Sequence, residues 1–417
     1  MKALVFERSL ARFAAARVAG SWAPGGGARV GPLHLADVDP PELPGPGWRR
    51  ITPLLSGICG SDLATVDGRS SRYFEPIVSF PFVPGHELVG HLEDQPSARV
   101  VIEPVLGCEA RGIFPPCEAC AVGDTGGCRH VAFGHLKPGL QTGFCADTGG
   151  GWSSSLVAHE SQIHPVPEGL SDDDAVMVEP TACGVHAALA AGPVSDATVA
   201  VLGSGTLGLT TLAALRRLAL PGHLISSAKY PEQRRWAREL GADEVVAPDG
   251  IARAVRRSTR SLAAGRVLTG GADVVVDCVG SAESIATAVA VVRPRGRVVL
   301  AGMPGVVRLD LTPLWHREVQ LVGAYAYGVE HLPGRPADTA SDPDLPDPGR
   351  SGSLPRTFHL ALELVAEAGL GRLVGARYPL DRFTEALTHA AEAGRRGTVK
   401  VVFDLRPETR RPAWRNA

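Results

Sequence analysis

The chain has 417 residues, 44% of them hydrophobic and 21% charged, which is room for two ordinary domains and the composition of a globular protein. Its 42 basic and 44 acidic residues leave a formal net charge of −2, excluding the basic surplus that nucleic-acid or anionic-membrane partners draw on. The longest apolar run, Val199 to Leu215, is broken by Gly and Thr and does not read as a membrane span.

Met1 to Glu7 reads as a short strand, without the apolar stretch of a secretory leader. Arg8 to Arg17, rich in Arg and Ala, faintly resembles a transit peptide, but Glu7 and the strand before it weigh against that, and the chain is expected in the cytoplasm. Residues 18–32, with Pro24-Gly25-Gly26-Gly27, predict a flexible loop or insertion. A β-like run from Arg50 to Leu55 leads into Gly57-Ile58-Cys59-Gly60-Ser61-Asp62, and a second, Ile77 to Val83, leads into Pro84-Gly85-His86-Glu87. A thiolate, an imidazole and a carboxylate are donors that suit zinc, and the glycines beside Cys59 and His86 let the backbone turn close to a metal. Between the motifs, Tyr73 and Phe74 either line a substrate cleft or fix a loop.

Gly-Ile-Cys-Gly-Ser-Asp followed by Gly-His-Glu resembles the zinc-dependent medium-chain dehydrogenases of the alcohol, sorbitol and threonine dehydrogenase type, over nearly the whole chain apart from its insertions. The resemblance implies an α/β protein: a GroES-like, mostly β catalytic domain plus a Rossmann domain with a doubly wound parallel sheet. The short β-like runs punctuated by Gly and Pro to about residue 165 agree with the first of these. It further implies a small alcohol or carbonyl substrate and a homo-oligomer (dimer or tetramer), while the near-zero charge and the broken apolar run predict no nucleic acid or membrane partner.

Eight cysteines occur, and four crowd together as Cys108-x8-Cys117-x2-Cys120-x7-Cys128. Reduced cysteines in a cytoplasmic protein favour metal over disulfides, and four thiolates make a closed structural zinc site. The family pattern is Cys-x2-Cys-x2-Cys-x7-Cys; the last three match, while the first is displaced upstream to Cys108, with Glu109 to Pro116 as an extra loop.

Ser171-Asp172-Asp173-Asp174 looks like a helix start, and Ala175 to Ala191 carries a helical pattern. Within it Glu179-Pro180 matches the Glu-Pro of the sorbitol and threonine dehydrogenase branches, where the Glu lies beside the catalytic zinc, as a ligand or through water. Cys183 is expected inside. Next, Thr198 to Leu202, Gly203-Ser204-Gly205-Thr206-Leu207-Gly208 and a helical run to Leu218 read as strand, glycine turn and helix. Gly203 allows the turn, Gly205 lets a pyrophosphate approach the backbone, and Gly208 lets helix pack on strand.

The following strand, His223 to Ser227, lacks the terminal acid that holds the ribose hydroxyls of NAD; Ser226-Ser227-Ala228-Lys229-Tyr230 stands there instead. Small hydroxyls and Lys229 suit a 2′-phosphate and favour NADP within NAD(P), unless Lys229 is a solvated surface residue. Val245-Val246, Asp273 to Asp277, Arg297 to Leu300 and Val319 to Ala324 predict further parallel strands. Val279-Gly280 and Gly302 fall at carboxyl ends of two of them, where ligands sit in such folds. Arg253, Arg256, Arg257 and Arg260 are expected on a solvated helix face.

Residues 328–354 read as an inserted surface loop, 356–404 as helix and strand closing the catalytic domain, and 406–417 as a frayed tail. The expected boundaries are 1–180 (catalytic, zinc lobe at 108–128), 181–325 (cofactor) and 326–417 (return segment). By resemblance, zinc on Cys59 and His86, with Glu87 or Glu179 nearby, activates an alcohol; Ser61 takes its proton, and Asp62 fixes the His86 tautomer. Many relatives carry a His two residues after that Asp to finish a proton relay; here the residue is Ala64. The rivals are the same machine run as an NADPH-dependent aldehyde or ketone reductase, and a non-catalytic dinucleotide-binding zinc protein.

Overall fold

In the computed structural model, residues 1–192, 194–265, 267–332 and 355–407 are described. Most of the insertion expected at 328–354, and the tail beyond residue 407, lie outside them. Contacts divide the chain into two compact units: Met1–Ala121, Thr125–Pro180 and Val365–Ala417 form one, Val122–Asp124 and Thr181–Leu364 the other.

The first unit begins with β1 (Lys2–Phe6), but the next segment is helical rather than a flexible loop. Helix α1 (Leu10–Trp22) and the short α2 (Gly27–Val30) precede β2 (Leu33–Asp37), which pairs antiparallel with β1. The Ala- and Arg-rich run has high helix propensity, Ser9 caps it, and the glycines that suggested flexibility serve a tight junction. Gly25 takes φ +79°, and its N–H and that of Gly27 donate to the fully buried Asp67 carboxylate at 3.0 and 3.1 Å. A long β3 (Trp48–Gly57) follows, then α3 (Gly60–Val66), β4 (Leu88–Leu92), β5 (Gln95–Ile102), β6 (Leu156–His159) and β7 (Ile163–Pro165).

The expected strand at Ile77 to Val83 is not formed. Arg72–Ile77 is a 3₁₀ turn, and only Phe82 bridges to Phe6. Pro76, Pro81 and Pro84 withhold the donors that a ladder needs.

The second unit holds a six-stranded parallel sheet. Its strands are β8 (Thr198–Leu202), β9 (His223–Ser227), β10 (Glu244–Val246), β13 (Ala272–Asp277), β14 (Val292–Leu300) and β15 (Gln320–Gly323), in the order β10-β9-β8-β13-β14-β15. A small hairpin that sequence reasoning missed, β11 (Ala263–Ala264) with β12 (Val267–Leu268), interrupts the series. The order reverses at β8, which makes the carboxyl ends of β8 and β13 the switch point of a doubly wound fold. Ala200, Ile225, Val275 and Val298 pack in the buried centre. On the helix Val178–Ala190 of this region, His186 Nδ1 lies 2.8 Å from the buried Glu330 carboxylate, which also accepts from Thr357 at 2.7 Å. Burial opposes charging His186, but Glu330 and Asp124 outweigh it and raise its pKa.

The chain then returns to the first unit as β16 (Val374–Tyr378) and β17 (Lys400–Asp404). β17 pairs antiparallel with β3 and completes a seven-stranded sheet ordered β16-β17-β3-β4-β5-β7, with β6 also on β3. Trp152, fully buried, stacks edge-on against Phe403 of β17 at 5.1 Å and donates its indole N–H to the Gly57 carbonyl. The strand end before Cys59 is thereby pinned from below.

Candidate metal and cofactor sites

Cys59 is the residue just before α3, in extended conformation, and its backbone N–H donates to Asp62 Oδ2 at 3.0 Å. That capping bond aims the other Asp62 oxygen at His86 Nδ1, 3.6 Å away. Both of those atoms are buried and have no hydrogen-bond partner. The other side of His86 faces Cys59, and one ligand atom each from Cys59, His86 and Glu87 lies within 4.8 Å of the others. Burial disfavours the imidazolium, yet Asp62, the Cys59 sulfur and Glu179 outweigh it and hold the His86 pKa well above its usual value. These donors compete to keep a positive charge among them. A divalent cation satisfies that demand, and an Nδ1–H directed at Asp62 leaves Nε2 free to ligate.

Gly85 takes φ +99°, and a Cβ there would come within 2.5 Å of Trp152, so the turn presenting His86 rests directly on the indole. Glu87 is fully buried and forms an ion pair with Lys400 of β17, whose Nζ also donates to the Ile58 carbonyl at 3.3 Å. Gly57 makes room for this pair, since a Cβ there would stand 2.0 Å from Glu87 Oε2. Burial lowers the Lys400 pKa, but Glu87, Cys59 and Glu179 more than reverse this. Sequence reasoning missed Lys400. Its signal was a single lysine amid the apolar residues of a strand, in a chain with four lysines in all. Glu179, 6% exposed, acts on this cluster through its charge and is not in the close donor set. Ser61 sits half-buried in the first turn of α3, and Ala64 follows in the same helix.

The cysteine lobe forms a second cluster. Cys108 and Cys128 are buried with sulfurs 3.7 Å apart, and backbone N–H groups of Cys117 and His130 donate to them at 3.4 Å each. Cys120 Sγ accepts from the Cys108 N–H at 3.5 Å, and its thiol holds Cys128 as a thiolate with pKa lowered to about 5. The close donor set is Cys108, Cys117, Cys128 and His130; of the four cysteines in the spacing, Cys120 stands outside it, against Cys108 and Cys128. The extra loop brings Arg111, fully buried, which donates to the carbonyls of Leu106, Phe133 and Gly139. Tyr73, by contrast, is 76% exposed and stacks edge-on with Phe74 in the 3₁₀ turn.

In the second unit Gly203 takes φ +89°, and Gly205 precedes the helix Thr206–Ala214 with open space where a Cβ would stand. A Cβ on Gly208 would come 1.9 Å from the Gly203 carbonyl. Backbone N–H groups of Thr206 and Leu207 open the helix there, a cradle that fits a pyrophosphate. The Asp277 carboxylate accepts from the N–H groups of Val279 and Gly280 at 2.9 and 3.2 Å, and Gly280 packs against Gly302. The ends of β8, β13 and β14 thus converge.

The serines expected to face a 2′-phosphate do not point outward. Ser227 Oγ accepts from the Gly203 N–H at 3.1 Å, and Ser226 bonds Ser204 at 2.9 Å, both buried inside the glycine turn. Lys229 remains exposed, its Nζ 5.6 Å from the Tyr230 ring centroid. Arg234, which sequence reasoning missed, stands beside it, donating to the Ala228 and Lys229 carbonyls at 3.0 and 3.3 Å.

Residues 45–168 match the alcohol dehydrogenase GroES-like domain, and residues 206–337 match the zinc-binding dehydrogenase domain. The chain is 29% identical over 309 residues to a sorbitol dehydrogenase of Arabidopsis thaliana, covering 72% of this chain and 78% of that protein. It is 28% identical over 285 residues to an L-threonine 3-dehydrogenase of Pyrococcus horikoshii, covering 67% and 76%. The alcohol dehydrogenase TADH of Thermus sp. ATN1 shares its fold, with a TM-score of 0.67 at 21% identity over 97% of this chain and 100% of that one. Both halves of the motif, both sheets and both matched domains agree: the chain belongs to the zinc-dependent medium-chain dehydrogenases.

Proposed function

We propose that this protein is a zinc-dependent, NAD(P)-linked alcohol dehydrogenase that interconverts a secondary alcohol, polyol or amino alcohol with its ketone or aldehyde. The observation that carries this reading is the Cys59, His86 and Glu87 donor set, with Asp62 behind His86. When bound, the zinc supplies a Lewis acid for the substrate oxygen, and the nicotinamide accepts or donates the hydride. Cys59 and His86 hold the metal, Asp62 sets the imidazole tautomer, and Glu87 and Glu179 balance the charge. Ser61 takes the alcohol proton; without a His at position 64, water or a residue of another loop carries it onward. Cys108, Cys117, Cys120 and Cys128 hold a structural zinc, and the glycine turn with Lys229 and Arg234 selects NADP.

The test is a panel of polyols, amino alcohols and secondary alcohols assayed with both cofactors, in both directions, on protein of measured zinc content. Turnover only in the reductive direction favours the carbonyl reductase. Retention of zinc and cofactor with no turnover anywhere refutes the enzyme. None of the eight cysteines is in a disulfide, which supports a reducing compartment, the cytoplasm. No helix among the described residues is long and apolar enough to cross a membrane. A homo-oligomer is supported by β15, an edge strand whose four residues are exposed, with exposed Trp315 and Tyr325 beside it.

A further inference from the structure

The cysteine lobe offers five donors where a tetrahedral ion takes four. We propose that His130 is a reserve ligand of the lobe metal, able to take the place of Cys120 so that the ion survives loss of that thiol. This rests on reading the lobe as a zinc site. The ligand atoms of Cys108, Cys117, Cys128 and His130 all lie within 4.8 Å of one another. His130 Nδ1 is 3.1 Å from Cys108 Sγ, and Cys108 Sγ is 3.7 Å from Cys128 Sγ. Zinc–sulfur and zinc–nitrogen bonds of about 2.3 and 2.0 Å put tetrahedral corners about 3.8 Å apart for two sulfurs and about 3.5 Å for sulfur and nitrogen. Both observed separations fall within a few tenths of an ångström of those corners.

The backbone fixes the imidazole in this position. His130 follows Cys128 by two residues, and its own N–H donates to the Cys128 sulfur at 3.4 Å. The short turn leaves the ring on the Cys108 side, while Cys120 stands against Cys108 and Cys128 through its own contacts. Cys108 is fully buried and Cys128 nearly so, whereas Cys120 is half-buried, so Cys120 is more open than either to oxidants that act on thiols. An imidazole is not open to that chemistry, and three thiolates with one imidazole are themselves a common structural zinc set.

The experiment uses the full-length protein with Cys120→Ser, His130→Ala and both changes. Zinc is counted after dialysis, and the lobe of each cadmium-loaded protein is read by cadmium NMR. Wild type and each single variant should hold about two equivalents, and the cadmium resonance of Cys120→Ser should move upfield as a nitrogen replaces a sulfur. The double variant should hold about one equivalent fewer. A zinc count for Cys120→Ser as low as for the double variant overturns the reserve-ligand role. So does a double variant that keeps both ions. Wild type with a single equivalent overturns the lobe site itself, and the reserve role with it.

Discussion

Replacing Lys400 with Met isolates the charge of the pair with Glu87. Both side chains are only 1% exposed, so Lys400→Met leaves a carboxylate with neither water nor counter-charge. Removing one partner of such a pair typically destabilises by about 3–5 kcal/mol, against about 0–1 kcal/mol for an exposed pair. Met fills nearly the same volume, so little of the loss is packing. For a unit of this size each kcal/mol moves the melting temperature by roughly 2–4 °C. The assay is urea unfolding of the zinc-loaded and chelator-treated protein, comparing Lys400→Met, Glu87→Gln and the double variant. Taking out both charges should recover most of the loss, and zinc should stabilise Lys400→Met more than wild type, because its charge then stands in for the ammonium. A single variant within about 1 kcal/mol of wild type, or a double variant no better than Lys400→Met, refutes the reasoning.

Ser61→Ala should lower turnover by about 10²–10⁴ while leaving zinc content and cofactor affinity intact; turnover near wild type removes Ser61 from proton transfer. Lys229→Asp, alone and with Arg234→Gln, should shift the kcat/KM ratio from NADP towards NAD, and an unchanged ratio places the selectivity elsewhere. The raised pKa of His186 means that its pair with Glu330 stabilises fully below the unfolded value of about 6.5 and fades as pH rises through the folded value. The difference in melting temperature between wild type and His186→Gln should therefore be largest near pH 6 and shrink in mildly alkaline buffer; a pH-independent difference contradicts the pairing.

The legible parts of the sequence were those written in neighbouring residues. Thr198 to Leu202, the glycine turn and His223 to Ser227 are strand, turn and strand as expected, because β-branched runs and glycines specify local backbone. Cys59 and His86 announced themselves by residue type and flanking glycines. What adjacency cannot show is which side chain fills a hole made elsewhere. Lys400 reads as a strand residue until β17 pairs with β3, and Ser227 reads as a cofactor contact until Gly203 claims its hydroxyl. His130 lies outside the cysteine spacing that marked the lobe, and the glycines after α1 implied freedom where the buried Asp67 imposes order.

The pairing of Glu87 with Lys400 also has a history in the life of each molecule. The two residues are 313 apart in the chain, and at synthesis rates of about 5–20 residues per second the ammonium follows its carboxylate out of the ribosome by roughly 15–60 s. Through that interval β3 and β4 exist without β17, and a carboxylate enclosed there has no counter-ion. Until then the Glu87 carboxylate keeps the nascent sheet open to water. The last strand of the unit to be made thus sets the moment at which the first strands can dry.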